Sequence, residues 1–114
     1  IDSPNLQIIF DPVNLLCVEN LSRQDEIINK AFELLGREIA VVHCKDYIVE
    51  GDELKSVAAG TGKGNPVTGG GLNYPLLLKL VKEHKPYVHC TLENTVPDNA
   101  VATREFMERT YASV

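Results

Sequence analysis

Three short, mostly continuous apolar runs, each ending in charged or imidazole side chains, constrain this chain more than any other feature. Leu6-Gln7-Ile8-Ile9-Phe10 ends at Asp11-Pro12. Ile39-Ala40-Val41-Val42 ends at His43-Cys44-Lys45-Asp46. Tyr87-Val88-His89-Cys90-Thr91-Leu92 ends at Glu93-Asn94. Runs of this length and composition read as buried strands. Between them the apolar residues recur at helical spacing. Ser22 suits an N-cap with Asp25 as its capping-box partner, followed by the stripe Ile27, Ile28, Ala31, Leu34 and Leu35 and a stop at Gly36. A second helix opens near Asn73-Tyr74-Pro75, carries Leu76, Leu77, Leu80 and Val81, and must end before Pro86. A third opens at Asp98 and runs through Ala102, Phe106 and Met107. Residues 50 to 73, rich in glycine, read as loop. The order βαβαβα predicts an α/β fold with a parallel sheet covered by helices. In such folds ligands gather at the carboxyl ends of the strands.

Composition agrees. The 114 residues fit one domain, 1–114, and 44% apolar with 24% charged residues can supply a core. The net charge of −5 argues against a nucleic-acid partner. No apolar run approaches the ~20 residues of a membrane span, and no signal peptide is visible, so no membrane partner is expected. Cys17, Cys44 and Cys90 are odd in number, widely spaced and outside any C-x-x-C. Reduced cysteines in a cytoplasmic protein are the expectation, with Cys44 and Cys90 packing as small hydrophobes.

Asp11, His43 and Glu93 hold equivalent places at the three strand ends. Two carboxylates and an imidazole converging from neighbouring strands suit a divalent cation such as Mn²⁺, Mg²⁺, Co²⁺ or Zn²⁺. The plainer alternative is that each residue caps its strand or pairs with a lysine. Lys45 shares strand parity with His43 and points to the same side, and Asp46 is a candidate to support either of them. His89 has the parity of Glu93 but lies roughly 13 Å deeper, which makes it an interior or bottom-face residue. His84, in the last turn of a helix, complements its dipole. Gly60-Thr61-Gly62-Lys63-Gly64 fails as a Walker phosphate loop: Val57 stands where the first glycine belongs, and Gly64 replaces Ser/Thr.

Taken in order, Phe10-Asp11-Pro12-Val13-Asn14, His43-Cys44-Lys45-Asp46, Gly60-Thr61-Gly62 and Thr91-Leu92-Glu93-Asn94 resemble the successive signatures of the sugar phosphate isomerase/epimerase family. These are enzymes of the xylose-isomerase-like (β/α)8 TIM-barrel type, and the resemblance spans nearly the whole chain. It implies that the three βα units correspond to strands 6-8 of the barrel. The chain, which lacks an initiator Met, would then be the carboxyl-terminal portion of a larger enzyme. The barrel would be incomplete, and self-association as a homo-oligomer could complete it.

In that family a single divalent metal is held by Glu, Asp, His and Glu from the last four strands. By match, Asp11, His43 and Glu93 are the second, third and fourth ligands, and the first Glu falls before residue 1. The implied reaction is proton transfer beside a carbonyl of a sugar or sugar phosphate, through a metal-stabilised enediolate, with Glu93 as one of two acid–base residues. Asn14 stands where ketose 3-epimerases of the group carry a substrate-contacting His, and can hydrogen-bond a hydroxyl without shuttling protons. Lys55 is the nearest base before the G-x-G, where they carry an Arg, and is a candidate for substrate binding with Asn14 and Lys45. The insert Asn65 to Gly71 suits either close backbone approach to substrate or a flexible linker.

The same site would serve dehydration of a cyclic polyol such as an inosose. A related three-zinc endonuclease type is disfavoured, because Asn14 replaces its first His, no D-x-H occurs, and the chain is acidic. A non-enzymatic reading also stands. Three βα units cannot close an eight-stranded barrel, and an inactive fragment with two open sheet edges would self-associate.

Overall fold

The computed structural model describes residues 7–114; Leu6 of the first apolar run and the Ile1–Asn5 segment lie outside the described residues. The elements in chain order are β1 (Ile8–Phe10), α1 (Gln24–Leu35), β2 (Ile39–Cys44), β3 (Asp46–Glu50), β4 (Glu53–Val57), α2 (Tyr74–His84), β5 (His89–Leu92) and α3 (Ala100–Ser113). Strands β1, β2 and β5 form a parallel sheet in that spatial order. This is the predicted βαβαβα core, and the chain is mixed α/β. The sheet is open, and the described residues form no closed barrel.

Alternation along the strands sorts the sheet into two faces. Phe10, Val42 and Cys44 are buried against the helices, joining Ile28, Phe32, Leu77, Leu78 and Val81 in one core. Phe10 meets the Phe32 ring edge-on at 5.3 Å between centroids. The other face carries Ile9, Val41 and His43, and Ile9 is 63% exposed. Val41 and His43 on that face are half-buried.

Several predicted details shift. Ser22 does not cap α1: it lies in a 3₁₀ segment, Val18–Arg23, and Arg23 precedes the helix without a side-chain cap. Asp25 and Glu26 in the first turn still favour the positive end of the helix dipole. Phe32 faces the core, whereas Leu34 and Leu35 are exposed. Gly36 stays right-handed and runs into a further 3₁₀ turn, Gly36–Glu38. The second helix starts as predicted. Asn73 Oδ1 accepts the Leu76 N–H at 3.1 Å, and Pro75 fits the first turn where its missing N–H costs nothing. Helix α3 begins at Ala100, two residues after Asp98, and lays Phe106 edge-on against Tyr74 at 5.5 Å. Lys82 of α2 donates to the carbonyl oxygens of Tyr111 and Val114 at 2.8 and 3.0 Å, placing a cation at the negative end of α3.

The stretch expected to be loop contains a hairpin. β3 and β4 pair antiparallel, Tyr47 opposite Ser56 and Val49 opposite Leu54, around Gly51 at φ +63°. The apolar–polar alternation is interrupted by charged residues on the exposed positions, which is why periodicity alone left it unassigned. Beyond the hairpin the glycine-rich segment is tied to the rest of the chain by backbone hydrogen bonds and is not a free linker. It folds back on β3, with the Lys63 N–H donating to Tyr47 O at 3.0 Å and the Val49 N–H to Lys63 O at 3.3 Å. The Tyr47 hydroxyl donates to Gln24 Oε1 at 3.0 Å and accepts from Asn65 Nδ2 at 3.1 Å, deep in the interior.

Asp46 closes this arrangement. Its carboxylate is buried and accepts the N–H groups of Tyr47 at 2.9 Å, Gly60 at 3.0 Å and Leu72 at 2.7 Å. Gly62 and Gly71 pass so close that a Cβ on either would overlap the carboxylate. Burial pushes the Asp46 carboxyl above its ordinary range, against the opposing pull of the Leu72, Tyr47, Gly60 and Gly62 amides.

Asp46→Ala strands buried N–H groups and should cost about 3 kcal/mol or more in denaturant unfolding. Gly62→Ala should cost a comparable amount through overlap. The native state holds the Asp46 proton more tightly than the unfolded chain does. Its contribution is therefore complete below the ordinary carboxylate pKa and fades as pH rises through the raised value. The Asp46→Asn variant should accordingly lose less stability, relative to wild type, at neutral pH than near pH 4; unfolding curves across that range check the sign.

Candidate active site at the strand ends

The carboxyl ends of β1, β2 and β5 lie side by side along one edge of the parallel sheet. His43 is the last residue but one of β2, and Thr91 lies opposite it on β5. Pairing continues one residue further: the Glu93 N–H donates to Cys44 O at 2.9 Å. That bond sets Glu93 beside His43, and the backbone then turns away at Asn94, which takes φ +57°. His43 Nδ1 lies 2.8 Å from Glu93 Oε1. At this distance the Nδ1–H donates to the Glu93 carboxylate, which leaves Nε2 on the far side of the ring from Glu93.

A second cluster forms at the end of β1. Asp11 is extended, with the 3₁₀ turn Pro12–Leu15 beginning directly after it. Lys45 Nζ reaches Asp11 Oδ2 at 3.3 Å and donates to Asn14 Oδ1 at 3.2 Å. The lysine is itself held from behind: the buried Tyr74 hydroxyl donates to its carbonyl oxygen at 2.5 Å. Burial pushes the Tyr74 phenol far up, so it remains a donor. Asp11 and Lys45 side chains are only 11% and 16% exposed. The Asp11 Oδ1 atom is buried and makes no hydrogen bond, an arrangement that ordinarily signals a missing donor or cation.

The residues singled out from the sequence therefore separate into groups. Asp11, Asn14 and Lys45 touch one another, and His43 touches Glu93. Lys55 stands apart on the hairpin, 3.9 Å from Glu50 with both side chains mostly exposed. Asp46 gives its oxygens to backbone amides and makes no bond to His43 or Lys45, because its side chain turns inward to the hairpin. His89 is exposed at the start of β5 rather than interior. The role of Asn14 as a partner for Lys45 was not read from the sequence, although the shared direction of Lys45 and His43 pointed towards it.

For a divalent ion, the donor set of two carboxylates and one imidazole fits, and so does the orphaned Asp11 oxygen. Among the described residues no three His, Cys, Asp or Glu side chains surround a common point closely enough to hold one. The nearest cation to Asp11 is the Lys45 ammonium. No helix of the described residues is long and apolar enough to cross a membrane. The chain matches no family model, no curated protein and no solved structure.

Removing Lys45 leaves Asp11 without its cation in a largely dry site. Lys45→Met should cost about 2 kcal/mol, and a double-mutant cycle with Asp11→Asn should return a coupling of about 1–2 kcal/mol. Lys55→Ala, at an exposed pair, should change stability by no more than about 0.5 kcal/mol in the same unfolding assay.

Proposed function

We propose that this chain is the site-bearing, carboxyl-terminal portion of a cytoplasmic, divalent-metal-dependent sugar or sugar-phosphate isomerase/epimerase of the (β/α)8 type. One observation carries the reading: Asp11, His43 and Glu93 sit at the carboxyl ends of three adjacent parallel strands, with His43 and Glu93 already in contact at 2.8 Å. Parallel α/β folds place their ligands at that edge.

Asp11, His43 and Glu93 would hold the metal, and the ion, when bound, would polarise the oxygens of a carbonyl and its neighbouring hydroxyl. Glu93 is the proton carrier at the carbon beside that carbonyl. Its carboxylate is partly exposed and is aligned by the His43 Nδ1–H. Asn14 and Lys45 bind substrate hydroxyls or a phosphate, and the Tyr74 hydroxyl holds Lys45 in place. Lys55 would reach a substrate only through movement of the hairpin. Dehydration of a cyclic polyol uses the same proton transfer and is separated from epimerisation by product analysis.

The decisive measurement is exchange of solvent deuterium into the carbon next to the carbonyl, across a panel of ketoses and ketose phosphates, by the protein carrying this chain with added Mn²⁺. Glu93→Gln should lower exchange by at least about 10²-fold, and His43→Ala should weaken Mn²⁺ binding about 10-fold or more. Unchanged exchange in the Glu93 variant overturns the assignment.

The open sheet favours a second reading, an inactive fragment that associates with its own copies. Among the described residues β1 and β5 are edge strands, and Ile9 is largely exposed. Light scattering on the purified chain should then report a dimer or larger species; a monomer at all concentrations removes this reading.

A further inference from the structure

Among the described residues, both basic side chains at the strand ends are faced by carboxylates. Lys45 Nζ lies 3.3 Å from Asp11 Oδ2 and donates to Asn14 Oδ1 at 3.2 Å. His43 Nδ1 lies 2.8 Å from Glu93 Oε1. The cluster sets two carboxylates against one ammonium. The Asp11 Oδ1 atom, buried and without a hydrogen bond, adds an acceptor beside that ammonium. Such a place is completed by a cation or by a group that can donate, as a hydroxyl does. A phosphate dianion offers acceptors only, and it would meet the carboxylate as well as the lysine.

The loops give the same answer. In (β/α)8 enzymes a phosphate is frequently held by the loops after the seventh and eighth strands, which on the isomerase reading follow β2 and β5. After β2, Gly60–Asn65 has the glycines of such a loop, but its amides are spent. The Gly60 N–H donates to Asp46 Oδ2 at 3.0 Å, Thr61 to Ala58 O at 3.1 Å, and Lys63 to Tyr47 O at 3.0 Å. Gly64 donates to Gly69 O at 3.1 Å and Asn65 to Gly70 O at 2.9 Å. Gly62 passes directly against the Asp46 carboxylate. Lys63 is exposed, and its backbone is bridged to Ile48 of the hairpin, away from the parallel strands. After β5, the Val96 N–H donates to Asn99 Oδ1 at 2.9 Å and the Asn99 N–H to Val96 O at 3.0 Å. Asp98 then places a negative charge just before α3, where an anion would otherwise be favoured.

We infer that the substrate of this site is an unphosphorylated polyhydroxy carbonyl compound, a free sugar or a cyclic polyol ketone, and that Lys45 and Asn14 read one of its hydroxyls. This rests on the isomerase reading above and narrows it. The hydroxyl oxygen accepts from Lys45 Nζ, and its proton goes to Asn14 Oδ1, which has a second lone pair. Asp11 cancels the charge of Lys45, so the cluster supplies hydrogen bonds without net attraction for an anion. A phosphorylated substrate would lose hydration there and meet a carboxylate in return, which is discrimination by repulsion.

The test has two arms, both on the protein carrying this chain. In the first, xylitol and inorganic phosphate are titrated separately without metal at constant ionic strength, with backbone ¹⁵N shifts as the readout. Xylitol should shift Asn14 and Lys45. Inorganic phosphate should leave both of these and Gly60–Asn65 in place. Asp11→Asn uncovers the Lys45 ammonium, and phosphate affinity should then rise at least about 10-fold. Should that variant not fold, the wild-type titrations decide alone. In the second arm, solvent deuterium exchange with Mn²⁺ is compared for each ketose and its terminal phosphate. The free sugar should exchange with a kcat/KM at least about 10-fold higher. Phosphate shifts at Lys45 or Gly60–Asn65 in the wild-type protein, or no shift with xylitol, overturn the inference. Faster exchange of the phosphorylated partner also overturns it but leaves the isomerase reading standing. Exchange with neither kind of substrate overturns the isomerase reading, and the titrations then decide the selectivity of the cluster by themselves.

Discussion

The buried carboxylate of Asp46 organises everything after the second strand. It follows directly on β2 and Lys45, opens the hairpin, and gathers amides from Tyr47, Gly60 and Leu72. Those residues span 26 positions of sequence, Asp46 to Leu72. A glycine-rich segment that would otherwise lose a large conformational entropy for little burial is thereby tied to one point. The cost of burying the charge is offset only in part by short, charge-assisted hydrogen bonds, for which Gly62 and Gly71 leave room. Helix α2 starts immediately beyond the Leu72 amide, so its position over the sheet depends on the same carboxylate.

From α2 the dependence continues into the strand-end site. Tyr74, at the first turn of α2, reaches the Lys45 carbonyl, and Lys45 reaches Asp11 and Asn14. Phe106 of α3 packs on the Tyr74 ring. The polar residues at the strand ends are therefore positioned by groups on the helix side. This is the usual way a parallel sheet holds side chains at an exposed edge.

The parallel order of β1, β2 and β5 was legible because apolar runs and helical stripes alternate at a spacing that only a crossover topology satisfies. The strand-end residues were legible for the same reason, since a run that stops at Asp11, His43 or Glu93 advertises where the sheet ends. What stayed hidden was set by contacts distant in sequence. Nearness in sequence makes Asp46 a candidate to support Lys45 or His43, but its partners are amides up to 26 residues away. The hairpin escaped because its outward positions carry charges and its inward ones are few. Cys90, inside an apolar run, is expected to pack as a small hydrophobe, whereas on the edge strand β5 it is exposed. Helix capping at Ser22 failed because a 3₁₀ segment had already claimed that residue.

The spatial order of the sheet has a mechanical consequence. Among the described residues, β2 is the one strand of the parallel sheet with a neighbouring strand on each side, and it carries His43. Asp11 and Glu93 leave strands held on one side each. The imidazole thus sits on the strand paired on both sides, and the two carboxylates just beyond strands paired within that sheet on one side each. Amide exchange should be slowest along β2 and faster along both flanks, a gradient that runs across the site rather than along the chain.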